Sequence, residues 1–178
     1  INFENIIGSR DGDTLTGDGG NNVIDGGGGN DNMNGLGGSD TASYATAGQG
    51  VTVSLAAQGA NQSIGGGRLA LLQNFENLLG SGFADTLDGD GNANVIEGGG
   101  GLDTLRGGLG DDTYVLTDTN SLVIGFAPPG SFQPVAYDAV VEAVDAGLDT
   151  VRIQGTPDLS SYVLPDHVEN GVAIISNP

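Results

Sequence analysis

Oxygen-bearing side chains return at a fixed interval in this chain: Asp13, Asn22, Asp31 and Asp40 lie nine residues apart, as do Asp85, Asn94, Asp103 and Asp112. Acids set at one phase along a chain of net charge −19 repel one another unless a cation neutralises them. Carboxylate and amide oxygens, joined by backbone carbonyls, make the flexible all-oxygen cage of about six to eight ligands that Ca²⁺ prefers. Mg²⁺ demands a tighter octahedron and keeps its waters, and a chain with no cysteine and one histidine offers little to softer metals. The chemistry these residues imply is calcium binding.

The elements that would position them follow from the unit in which they sit. A nine-residue frame runs four times from Gly8 to Ser43 and four times from Gly80 to Val115, with the oxygen donor always in sixth place. The fullest copy is GGGGNDNMN, Gly26 to Asn34. Glycines in first, second and fourth place suit a tight turn whose carbonyls converge on a ligand. The last three residues predict a very short strand. Its eighth-place residue points one way (Leu15, Ile24, Met33, Ala42; Leu87, Ile96, Leu105, Tyr114), and the mostly polar seventh and ninth places point the other. One apolar side chain per unit makes a thin core, while ordering each residue's backbone costs roughly 1–2 kcal/mol. Burial alone should not hold such a fold, and the metal is expected to supply the difference.

If two units make one coil, turns on the same side lie two units apart. That pairs Asp13 with Asp31, Asn22 with Asp40, Asp85 with Asp103, and Asn94 with Asp112. The lead-ins extend the series, because FENIIG at Phe3 recurs as FENLLG at Phe75, an offset of 72 residues or eight units. Nine residues before Asp13 and Asp85 stand Glu4 and Glu76, expected to face Asn22 and Asn94, which makes three candidate sites per block and a load of four to six ions. Turn residues complete the candidate ligand set: Gly8, Asp11, Gly17, Gly20, Gly26, Gly29, Gly35 and Gly38 in the first block. In the second they are Gly80, Gly89, Gly98, Gly101, Gly107 and Gly110. Asn22 and Asn94 stand where the other units carry aspartate, and Asp11, Phe83, Ala84 and Asn92 depart from the glycine pattern, which should weaken the sites at the start of each block.

Eight in-frame units in two matched blocks resemble the RTX (repeats-in-toxin, haemolysin-type) calcium-binding nonapeptide. The resemblance implies an all-β fold, a parallel β-roll with Ca²⁺ between successive turns on both sides. It also implies a secreted bacterial protein, exported by a type I secretion machinery acting on a parent chain and folding on calcium outside the cell. Catalytic domains of that family lie elsewhere in the parent, so the segment itself is expected to be no enzyme. The competing reading is a calcium-rigidified spacer of a large extracellular adhesin, or the C-terminal module of an exported enzyme or toxin.

Composition agrees with these expectations. The chain has 178 residues, 34 of them glycine, and four arginines with no lysine, which argues against nucleic acid as a partner. No stretch is apolar and long enough to span a membrane, so membrane insertion by this segment is not expected. Low hydrophobicity with high net charge marks a chain that unfolds when its metal is removed. The sequence opens inside a repeat unit and without an initiator methionine, so it reads as an excerpt of a larger chain.

The organisation reads as a first roll block over 1–43, an intervening stretch over 44–79, a second block over 80–115, and a β-rich capping segment over 116–178. VTVSL at Val51 and GRLALLQNF at Gly67 predict strands in the intervening stretch. Stepping by nines from Ala42 reaches Val51, Ala60, Leu69 and Leu78, which favours two more coils over a flanking hairpin. In the last segment Asp112–Val115, Val140–Glu142, Gly147–Val151 and Val168–Asn170 are similar to the flank that follows RTX blocks, with an inserted loop near Phe126–Ala136. Asp149 and Glu142 read as turn caps or further ligands, and Asp18, Asp25, Asp88, Asp90 and Asp111 as solvated acids. His167 reads as a surface histidine; Tyr44, Tyr114, Tyr137 and Tyr162 read as core or cap residues. A thin solenoid is expected to offer no catalytic cleft.

Overall fold

The computed structural model describes residues 4–117, 123–124, 139–140 and 147–153. Within them the glycine turns cut the chain into short strands that alternate between two faces of a roll. The first block supplies β1 (Asn5–Ile7), β2 (Thr14–Thr16), β3 (Val23–Asp25), β4 (Asp31–Asn34) and β5 (Thr41–Ser43). The intervening stretch supplies β6 (Thr52–Ser54), β7 (Asn61–Gly65), β8 (Arg68–Gln73) and β9 (Asn77–Leu79). The second block supplies β10 (Thr86–Asp88), β11 (Val95–Glu97), β12 (Thr104–Arg106) and β13 (Thr113–Leu116). Beyond it lie β14 (Val123–Ile124), β15 (Ala139–Val140) and β16 (Thr150–Ile153).

One face is a single seven-stranded sheet in the order β1-β3-β5-β9-β11-β13-β16, parallel throughout. Its register stacks Ile6, Ile24, Ala42, Leu78, Ile96, Tyr114 and Val151 in one line. The other face is split into β2-β4-β8-β7 and β6-β10-β12-β15-β14, which stack Leu15, Met33 and Leu72 in one and Val53, Leu87, Leu105 and Val140 in the other. Partners within each block are 18 residues apart, so two nonapeptides do make one coil. The eighth-place side chains fill the interior: Ile24, Met33, Ala42, Leu87, Ile96, Leu105 and Tyr114 are all 0% exposed. The fold is therefore the expected all-β parallel β-roll.

The intervening stretch departs from the nine-residue phase. β5 pairs directly with β9, so the 36 residues from Ala42 to Leu78 advance the long sheet by one step, not two. Gly65, Gly66 and Gly67 all adopt left-handed φ (97°, 60° and 76°) and reverse the chain, which makes β7 and β8 an antiparallel hairpin. β8 then docks in parallel on β4 with Leu72, not the in-phase Leu69, opposite Met33. Ala60 and Leu69 are exposed. A glycine turn long enough to reverse the chain overrides a phase carried by single apolar residues. At the far end β15 and β16 extend the roll by pairing with β12 and β13. Glu142, Val168–Asn170, His167, Tyr137, Tyr162 and the 126–136 loop lie outside the described residues.

Candidate metal centre

The residue before each strand of the long sheet is an oxygen donor: Glu4, Asn22, Asp40, Glu76, Asn94, Asp112 and Asp149. Asp13, Asp31, Asp85 and Asp103 form the matching row at the other edge of the roll. The strand register fixes how neighbours in a row meet. The N–H of Asp13 donates to Asp31 Oδ1 at 3.0 Å, that of Asn22 to Asp40 Oδ1 at 2.7 Å, that of Asp85 to Asp103 Oδ1 at 2.8 Å, and that of Asn94 to Asp112 Oδ1 at 2.8 Å. These are the four pairs read from the two-unit spacing. The same contact recurs from Val51 to Asp85 (2.7 Å), from Asp40 to Glu76 Oε2 (2.8 Å) and from Asp112 to Asp149 (2.9 Å).

In several units a sixth-place oxygen also turns back into its own loop. Asp13 Oδ2 and Asp85 Oδ2 accept the N–H groups of Ser9 and Ser81, both at 2.6 Å, and the seryl hydroxyls reinforce them. Asn22 and Asn94 accept the N–H groups of Asp18 and Asp90 through Oδ1 at 2.8 Å. Asp40 Oδ2 and Asp112 Oδ2 are different: both are buried and have no hydrogen-bond partner. A buried, unmatched carboxylate oxygen is costly, and a cation relieves it. The cost shows as proton affinity. Burial raises the Asp112 carboxyl to about 7, against the Asn94 N–H that lowers it and with Asp149, Asp90 and Asp111 raising it further. Burial likewise raises Asp31, Asp40 and Asp85.

Backbone carbonyls converge on the same spots. A β-carbon at Gly17 would fall against Asn22 Oδ1 and the Gly35 carbonyl; one at Gly80 would meet Asp85 Oδ2 and the Gly98 carbonyl. Gly8 and Gly89 repeat this with Asp13 and Gly26, and with Asn94 and Gly107. Gly26, Gly98 and Gly107 have the carboxylates of Asp31, Asp103 and Asp112 in that position. Fourth-place Gly29, Gly38, Gly101 and Gly110 take left-handed φ and lie against the fourth-place residues of the preceding coil, Asp11, Gly20, Phe83 and Asn92. In the sequence Phe83 and Asn92 are only departures from the glycine pattern, yet a carbonyl is common to every residue type. Among the described residues no three acidic, histidine or cysteine side chains converge on one point. An ion here would draw on one or two side chains and several carbonyls, a donor set that suits Ca²⁺.

Other expectations shift. Glu76 reaches Asn94 only through its backbone carbonyl, which accepts the Asn94 Nδ2–H at 2.8 Å; its carboxylate turns to Asp40 instead. Glu4 is exposed and offers its carbonyl to the Val23 N–H. Asp11 is exposed and bonds locally with Ser9. Asp25 is 5% exposed, not solvated, because the chain after β5 folds over it and Ser43 and Thr46 donate to it. Asp88 pairs with Arg106 at 2.8 Å on the surface. Asp18 and Asp90 cap their own turns. Gln58, Asn74, Phe75, Glu76, Asp90, Asn92 and Asn94 line an open depression of about 550 Å³.

A parallel roll with oxygen donors repeated at every turn defines a class, the metal-binding solenoid repeat. The family model for the RTX calcium-binding nonapeptide repeat, which describes four copies of the unit, matches residues 7–42 and again 79–114, so these two stretches carry RTX repeats and indicate a calcium-binding β-roll module. No curated protein matches the chain. The RTX repeat is a structural calcium-binding unit, not a catalytic one.

Proposed function

We propose that the chain is a calcium-triggered folding unit of a secreted bacterial protein, kept unfolded before type I export and wound up by calcium outside the cell. Four to six ions would sit between turns two units apart, held by the sixth-place side chains and the turn carbonyls. The observation that carries this reading is the pair of buried, unpartnered oxygens Asp40 Oδ2 and Asp112 Oδ2 within a row of oxygen donors that is mostly acidic. A chain of net charge −19 loses that repulsion only when cations bind, so binding free energy becomes folding free energy. When bound, calcium supplies positive charge and loop-to-loop links; the protein's residues supply the register. Circular dichroism with and without chelator tests the proposal: the β signal should collapse in chelator and return with excess calcium. Full β signal retained in chelator sinks it.

The unbroken seven-stranded sheet across both blocks favours a second reading, a stiff extracellular spacer holding another domain at a distance. A spacer has to resist load in its calcium form. Unfolding forces no higher in calcium than in chelator would remove that reading.

A further inference from the structure

We infer that Asp40, Glu76 and the backbone carbonyl of Asn74 form a calcium site that fastens the second block to the first, built partly from residues outside the matched repeats. The inference rests on the calcium reading above and concerns one place, the β5–β9 junction. In a regular coil Asp40 and Gly35 would meet residues 18 positions on. Those are Gln58 and Val53, and neither is available: Val53 is buried in β6 on the other face, and Gln58 is committed through both amide atoms to the backbone of Phe75.

Residues 36 and 39 positions on take those places. Glu76 Oε2 accepts the Asp40 N–H at 2.8 Å, just as Asp40 Oδ1 accepts the Asn22 N–H at 2.7 Å one coil earlier. The Asn74 carbonyl lies with Asp40 Oδ2 at the point where a Gly35 β-carbon would be, as the Gly35 carbonyl lies with Asn22 Oδ1 at Gly17. Asn74 holds a left-handed φ of 56°, uncommon for a non-glycine residue, and its side-chain amide is anchored to Asn34 Oδ1 at 2.8 Å. Asp40 Oδ2, in a residue 0% exposed, faces this cluster with no hydrogen-bond partner. Two carboxylates and an inward carbonyl around a buried orphan oxygen ask for a divalent, oxygen-seeking cation. β5 and β9 pair through three residues at this junction, as β3 and β5 do one step earlier, and an ion there would add a link that makes the two blocks unfold as one.

Glu76→Gln tests this, because glutamine keeps an acceptor for the Asp40 N–H and removes the charge. Calorimetric titration of the full chain should show one fewer calcium bound, and a melt in calcium should change from one transition to two. Asp88→Asn is the control, since it removes one charge from a surface residue that pairs with Arg106 outside both donor rows; its count should not change. Anomalous scattering from calcium-grown crystals of the wild-type chain gives a readout independent of any variant's folding. A peak within about 2.3–2.6 Å of Asp40 Oδ2 and the Asn74 oxygen is expected. Peaks at other turns but none here, or an unchanged ion count and single melt in Glu76→Gln, overturn the inference alone. A wild-type chain that binds no calcium overturns the calcium reading with it.

Discussion

Two glycines of one repeat unit should respond to alanine with opposite signs. Gly89 and Gly91 are the first and third residues of GDGNANVIE, and neither adopts a left-handed φ, so backbone strain does not separate them. At Gly89 a β-carbon would strike Asn94 Oδ1 and the backbone carbonyl of Gly107; at Gly91 it meets nothing within 4 Å. Asn94 is 2% exposed and cannot swing away without breaking the bonds from the Asp90 N–H and to the Glu76 carbonyl, both 2.8 Å. Two hydrogen bonds at about 0.5–1.5 kcal/mol each, with an overpacking cost of similar size, put Gly89→Ala at about 2–6 kcal/mol destabilising. Gly91→Ala should stabilise by about 0.4–1 kcal/mol, because alanine narrows the unfolded ensemble at a site with room for it. For a chain of this length the gap amounts to at least about 5 °C in melting temperature. Thermal melts at fixed excess calcium, with calorimetric titration of calcium, read both effects; Gly89→Ala should also weaken binding. Equal effects from the two substitutions, or a destabilised Gly91→Ala, would refute the claim that first-place glycines make room for ligand oxygens.

Three further outcomes are expected. Leu105→Ala removes a side chain that is 0% exposed and stacked between Leu87 and Val140, and should cost about 2–5 kcal/mol by urea denaturation in calcium, whereas Leu109→Ala, at a residue 59% exposed, should change little. Leu36 is 50% exposed with φ 72°, so Leu36→Gly should stabilise by about 1 kcal/mol in the same assay. Asp112 is raised from 3.8 to about 7 by burial, so the calcium-free fold binds more protons than the unfolded chain between these values and loses stability as pH rises through that window. Calcium competes with those protons, so calorimetric titration should show tighter calcium binding at pH 7.5 than at pH 5. Equal affinity at the two pH values would contradict the burial of that carboxyl.

The regular coils were legible because one rule, an oxygen donor every nine residues ahead of an apolar residue, sets both register and site. Asp13 with Asp31 and Asn94 with Asp112 follow from it without any knowledge of side-chain contacts. The rule fails where its carriers are single residues competing with a stronger local signal. Ala60 and Leu69 kept the phase, but three consecutive left-handed glycines turned the chain back between them. The nine-residue count within its own block reaches Glu76 and points it forward to Asn94. Its carboxylate points backward to Asp40 because β9 stacks on β5, a neighbour 36 residues away. The ligand chemistry survived that break in phase although the spacing did not. Glutamate's extra methylene and the left-handed turn at Asn74 restore at the junction the oxygens that an intact unit would have supplied. What the roll preserves along its length is thus the position of oxygen atoms, and the nonapeptide is the commonest way of placing them.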